Sequence, residues 1–127
     1  AGLPDLTRAS LELSDVISFH SYEDLGKLRL HVQALRAQAD GRPLICTEWM
    51  ARTFNSLFAT HLPFFQAQDI TCFNWGLVRG KTQTHFPWGS PEGAGEPELW
   101  FHDILLPDGT PYREDEVAVI KAVTPSR

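Results

Sequence analysis

Three candidate strands end at almost equal intervals, and that spacing limits the chain to few folds. Asp15-Val-Ile-Ser-Phe-His20, Leu44–Thr47 and Ile70–Trp75 are short runs rich in strand formers. His20 lies 28 residues before Glu48, and Glu48 lies 27 before Trp75. Each interval holds one helical pattern. Leu25, Leu28, Val32, Leu35 and Ala39 recur at steps of three and four, which predicts an amphipathic helix. Asp40-Gly41 ends it, with Gly41 suited to a left-handed cap. Phe54, Phe58, Leu62 and Phe65 predict a second helix, which Pro63 should kink or split. Strands alternating with single helices predict an α/β fold: a parallel βαβαβα segment with right-handed crossovers.

The remaining segments are less regular. Residues 1–14 read as an irregular lead-in and residues 76–99 as a long Gly/Pro-rich loop. Trp100–Leu105 reads as a short helical turn, Pro107–Pro111 as a turn cluster. Arg113–Val123 reads as a last helix, with Glu114, Asp115 and Glu116 at its favourable N-terminus. All 127 residues are expected to form a single domain; 43% are apolar, enough for one core and too many for a disordered chain. The formal net charge of −5 argues against a nucleic-acid or anionic-membrane partner. No apolar run approaches the ~20 residues of a membrane span, and no charged-then-apolar leader opens the chain, so the compartment is left unassigned. Cys46 and Cys72 fall inside predicted strands and read as packing thiols.

The strand ends carry the residues suited to chemistry. His20 is followed closely by Tyr22, Glu48 by Trp49, and Asn74 by Trp75. A carboxylate is costly to bury unless paired or hydrogen-bonded, so Glu48 at a strand exit beside an aromatic is placed for a role. Sites at the C-terminal ends of parallel strands are the pattern of α/β enzymes, in barrels and open sheets alike. Lys81, Gln83, His85 and Trp88 in the long loop are candidates for a substrate wall. A two-histidine, one-carboxylate metal set of His20, Glu48 and His85 has no HExxH or paired-cysteine motif behind it, and no Gly-rich phosphate loop follows a strand. Neither a metal nor a cofactor is expected.

Ser18-Phe-His-Ser-Tyr22, Pro43-Leu-Ile-Cys-Thr-Glu-Trp49 and Phe73-Asn-Trp-Gly76, in that order, resemble the last three βα units of a clan A glycoside hydrolase barrel, closest to family 5-like bacterial enzymes. The downstream Phe101–Tyr112 stretch resembles the tail of such proteins. The resemblance implies strands 6–8 of a TIM barrel, hence a partial barrel, and a retaining hydrolase of β-linked glycans. By it Glu48 would be the nucleophile, Tyr22 its hydrogen-bond donor, and His20 a contact to sugar hydroxyls or to the acid/base. Trp75 would stack on the sugar, with Trp49, Asn74, His85 and Trp88 as further carbohydrate contacts. The family's acid/base glutamate follows an asparagine on a fourth strand that this chain lacks. The resemblance therefore supplies a nucleophile without its proton donor. The alternative is a catalytically inactive sugar-binding or self-assembling barrel fragment.

Strand alternation places Ser18 with His20, Cys46 with Glu48, and Phe73 with Trp75. Helices on one face of three parallel strands leave the other face and both edges open, which predicts association with further copies of the chain.

Overall fold

The computed structural model describes residues 4–124. The elements, in order, are α1 (Pro4–Leu13), β1 (Ile17–Ser21), α2 (Leu25–Ala39), β2 (Leu44–Trp49), a 3₁₀ turn (Arg52–Phe54), α3 (Phe58–Ala67), β3 (Thr71–Asn74) and α4 (Glu114–Val123). The three strands form one open sheet in the order β1-β2-β3, and both pairings are parallel. The βαβαβ core expected from the spacing is present, with α2 and α3 as its crossovers.

The helices cover one face. Ile17 and Phe19 of β1, Leu44, Cys46 and Trp49 of β2, Leu28, Val32 and Ala39 of α2, and Phe58 and Phe65 of α3 form one buried cluster. Burial of such side chains contributes roughly 1.5–3 kcal/mol each. Asp24 caps α2 through the Lys27 N–H, 3.1 Å from its Oδ1. The helix ends with both Asp40 (φ 49°) and Gly41 (φ 78°) in the left-handed region. On the other face Ser18, His20, Thr71 and Phe73 are exposed.

Four local expectations are corrected. The lead-in is helical from Pro4 to Leu13, and its first three residues lie outside the described ones. Pro4 at the first helical position was the available signal. The helix is held in place by Arg42, whose guanidinium donates to the carbonyls of Leu11 and Ser14 as well as to Ala39 and Gln38 at the end of α2. The second helix does not break at Pro63; α3 runs through it. The interruption comes earlier, at Asn55, which takes φ 60° between the 3₁₀ turn and α3. Trp100–Leu105 is not helical, because its backbone groups bond to distant partners. Phe101 N donates to His85 O, and Ile104 N and Leu105 N to Leu77 O.

The fourth correction concerns the faces. Phe19 pairs with Cys46 but His20 pairs with Glu48, and between Cys46 and Trp49 β2 advances three residues while β3 advances two. Both neighbours thus see one extra residue in β2, a β-bulge at Thr47–Glu48. Cys46 faces the helices with Phe19, whereas Glu48 faces outward with His20. They do not share a face.

Residues 76–99 contain no helix or strand, as expected, yet they are tied down by successive tight turns. Gln83 N bonds Gly80 O, Phe86 N bonds Gln83 O, Ser90 N bonds Pro87 O and Ala94 N bonds Pro91 O. Among the described residues no helix is long and apolar enough to cross a membrane.

Candidate active site

The bulge brings Glu48 beside the residues at the end of β1. The Tyr22 hydroxyl donates to Glu48 Oε2 at 2.8 Å, and His20 Nδ1 lies 3.2 Å from the same oxygen. Oε1 has no hydrogen-bond partner among the described residues. One oxygen is therefore anchored and the other is open. The carboxylate is 27% exposed, so it reaches solvent without being fully hydrated. Burial, and then the hydrogen bond to Glu48, hold the Tyr22 phenol well above the ordinary tyrosine value. Tyr22 is a neutral donor at physiological pH.

A cleft of about 680 Å³ opens here, lined by His20, Tyr22, Glu23, Lys27, Phe54 and Trp88 among others. Glu48 is not itself a lining residue; it meets the cleft through its contacts with His20 and Tyr22. Trp88 packs edge-on against Tyr22 (centroids 4.9 Å, 81°) and against Phe101 (5.0 Å, 83°), yet stays 58% exposed. It is held like a wall plate with an open face.

The other expected contacts are distributed differently. Trp75 lies one residue past β3, is partly exposed, and donates its N–H to Trp49 O at 3.0 Å. Trp49 is buried on the helix side, stacked on His61 (5.6 Å, 12°) and edge-on to Phe58 and Phe65. The bulge restores the original alternation after Glu48 and turns Trp49 inward. Asn74 pairs in register with Trp49, is half-buried, and donates to Gly76 O at 2.6 Å, so it shapes the loop start. His85 is buried under the loop, 3.7 Å from both Glu96 and Asp103. It is not brought together with His20 and Glu48, and no group of three or more metal-ligating side chains occurs among the described residues.

Among the described residues no other carboxylate is bound into the Glu48 cluster. Glu23 pairs with Lys27, Asp24 caps α2, Glu96 accepts from Arg79 and Trp100, and Asp103 accepts from Thr84. Arg52, which could have neutralised Glu48, is instead buried against Glu116 in a two-point pair (2.8 and 2.6 Å) and donates to Trp100 O and Asp103 O.

Two residues shape this site through contacts that no periodic pattern announces. Met50, two residues past Glu48, takes φ 76°. For a residue with a side chain that conformation costs of order 1–3 kcal/mol and persists only where its surroundings impose it. His102 supplies part of the imposition: its Nδ1–H donates to Met50 O at 2.6 Å. Its ring is buried against Tyr22 (5.5 Å) and Trp88 (5.7 Å). Both lie in irregular backbone, where neither periodicity nor propensity applies.

Gly76 allows the approach of the segment that carries His102. It has φ 83°, and a Cβ there would lie 2.6 Å from Asp103 Oδ1 and 2.8 Å from His102 Cβ. Gly76→Ala is expected to destabilise the fold by about 2–4 kcal/mol, from the positive φ and the overpacking together. Urea unfolding with an unchanged midpoint would contradict the close packing of this segment.

Two buried histidines set a pH dependence. Leu57 N donates to His61 Nδ1 at 3.3 Å while His61 Nε2 faces Glu23 O at 3.0 Å, so the ring is neutral with its proton on Nε2. Burial lowers the pKa of His61 and of His102 below the usual 6.5. Unfolding then takes up protons below that value. Stability is expected to be complete above pH 6.5 and to fall on acidification below it, by up to about 1.4 kcal/mol per pH unit for each histidine. Denaturation midpoints at pH 7.5 and 5.5 test this; His61→Gln should flatten the slope.

No family model, curated protein or solved structure matches the chain.

Proposed function

We propose that Glu48 is the nucleophile of a retaining glycoside hydrolase site acting on a β-linked glycan, and that the chain corresponds to strands 6–8 of a (β/α)₈ barrel. The observation that carries the reading is the two-sided environment of one carboxylate. Oε2 is held by Tyr22 and faced by His20, and Oε1 has no partner among the described residues. A glycosidase nucleophile needs an ionised, oriented oxygen facing the anomeric carbon. The phenol orients the carboxylate by donating to Oε2. The exposed faces of Trp88 and Trp75 suit the flat apolar faces of sugar rings.

A retaining enzyme also needs a proton donor roughly 5–5.5 Å from the nucleophile. The carboxylates described above are engaged elsewhere, which favours a second reading for the chain alone: a sugar-binding module without turnover. One experiment separates the two. A 2-deoxy-2-fluoro glycoside with a dinitrophenolate leaving group needs no protonation, so attack by Glu48 would break the glycosidic bond and leave a covalent adduct. A panel of β-glucosyl, β-mannosyl and β-xylosyl reagents, followed by peptide mass spectrometry, is expected to place the label on Glu48. Sugar binding detected by NMR titration without any label would leave the binding module.

The same reading bears on assembly. Among the described residues β1 and β3 each present an unpaired parallel edge, and the sheet face bearing Phe73 (58% exposed) has no helix over it. Parallel sheets are ordinarily covered on both faces. The chain is expected to associate with further copies of itself through these edges or that face. Sedimentation velocity is expected to show species larger than one chain across micromolar concentrations; a single monomeric species would remove the proposal.

A further inference from the structure

We propose that His102 is a positioning residue for Glu48: its Nδ1–H fixes the backbone leaving β2 and so keeps the carboxylate against the Tyr22 phenol. The proposal rests on reading Glu48 as the reacting group, but its tests do not use activity, so the two can fail separately.

Three observations converge on this side chain. The first is the backbone. Glu48 is followed by two carbonyls with external partners: Trp49 O accepts from Trp75 N at 3.0 Å and Met50 O from His102 Nδ1 at 2.6 Å. Met50 is the strained residue, at φ 76°, and a carbonyl cannot donate, so the proton must sit on Nδ1. The bond from His102 thus lands on the residue whose conformation most needs support, two positions from the nucleophile. The second is the ring. It is tilted against Tyr22 (5.5 Å, 52°) and Trp88 (5.7 Å, 57°), the donor to Glu48 and the exposed wall of the cleft. The third is burial: His102 is 1% exposed, and its Nε2 has no hydrogen-bond partner among the described residues. Burial favours the neutral imidazole, the form in which Nε2 carries no proton and Nδ1 does. One residue of the downstream segment therefore touches both supports of the carboxylate: the chain that follows it and the phenol that donates to it.

A group that merely fills space would not depend on which ring nitrogen bears the proton. Long-range ¹H–¹⁵N NMR on the unmodified protein at neutral pH is expected to show His102 neutral with its proton on Nδ1; a proton on Nε2 would overturn the proposal without any mutation. The second test follows Tyr22. The chain has two tyrosines, so ¹³Cζ-labelled tyrosine gives two resonances to titrate. His102→Phe keeps an aromatic ring and removes the donor, whereas His102→Asn keeps an N–H near the position of Nδ1. His102→Phe is expected to lower the Tyr22 midpoint by about one pH unit or more, a tenfold rise in its ionisation constant, as the phenol leaves Glu48 and gains water. His102→Asn is expected to leave it near the unmodified value. An unchanged midpoint in His102→Phe would reduce His102 to packing. An equal fall in both variants would show that the hydrogen bond does not carry the effect. Either result defeats the proposal.

Discussion

Glu48→Gln is expected to abolish covalent labelling by activated fluoroglycosides and to lower dinitrophenolate release from the corresponding glycosides at least about a thousandfold, the scale on which loss of a covalent nucleophile is felt. The substitution is close to isosteric. Tyr22 can still donate to the amide oxygen, so the fold and the cleft should persist. What disappears is the negative charge on the oxygen opposite the anchored one. Dinitrophenolate is a good leaving group, so its departure does not require the absent acid/base, and the first chemical step can be read alone. Added azide should not restore retention in Glu48→Gln but can open an inverting route, giving an α-glycosyl azide from a β-glycoside. Equal release by the unmodified chain, Glu48→Gln and buffer would remove the catalytic reading and leave the sugar-binding one.

The largest stability effect should come from Arg52. Its side chain is 1% exposed and binds both Glu116 oxygens, together with the carbonyls of Trp100 and Asp103. The guanidinium also lies over the Tyr112 ring at 5.0 Å. It joins the 3₁₀ turn after β2 to α4 and to the segment carrying His102. Arg52→Ala is expected to cost about 3–5 kcal/mol, because buried Glu116 keeps only a long contact to Arg113 Nε at 3.9 Å and two carbonyls lose their donor. A paired replacement, Arg52→Met with Glu116→Leu, should recover much of that loss, since neither charge is then stranded. Urea denaturation of the single and double variants gives the coupling directly. A single-variant loss below 1 kcal/mol would show that this pair does not hold the segment in place.

The sheet was legible because its signal is periodic. Apolar runs at Ile17, Leu44 and Ile70 and the three-four pattern of α2 report local geometry that tertiary packing then used. Asp40-Gly41 marked the end of α2 by the same local rules. Glu48, His20 and Tyr22 could be picked out because strand exits in a parallel sheet lie along one edge, and the structure brings these three into contact. Trp49, Asn74 and His85 entered as carbohydrate contacts through the resemblance, and local patterns could not place them. Trp49 and its register partner Asn74 lie on the helix side, past an inserted residue that alternation does not announce. His85 belongs to irregular chain that accepts a backbone hydrogen bond from Phe101 and lies 3.7 Å from Asp103 and Glu96, all distant in sequence. The positive φ of Met50 and the bond it accepts from His102 were invisible for the same reason.

The extra residue at Thr47 makes the strand exit a phase shifter. Before it, an outward position on β2 is odd-numbered, as at Ile45; after it, outward is even, as at Glu48. Deleting the extra residue would leave both side chains where they are, with Glu48 outward and Trp49 inward. Straightening the strand with every residue kept would instead put Trp49 in the outward place and send Glu48 toward Phe58 and Phe65. For anyone moving this site to another scaffold, the transferable unit is therefore not a glutamate but a pair of strands in two phases: Phe19-His20 facing Cys46-Thr-Glu-Trp49.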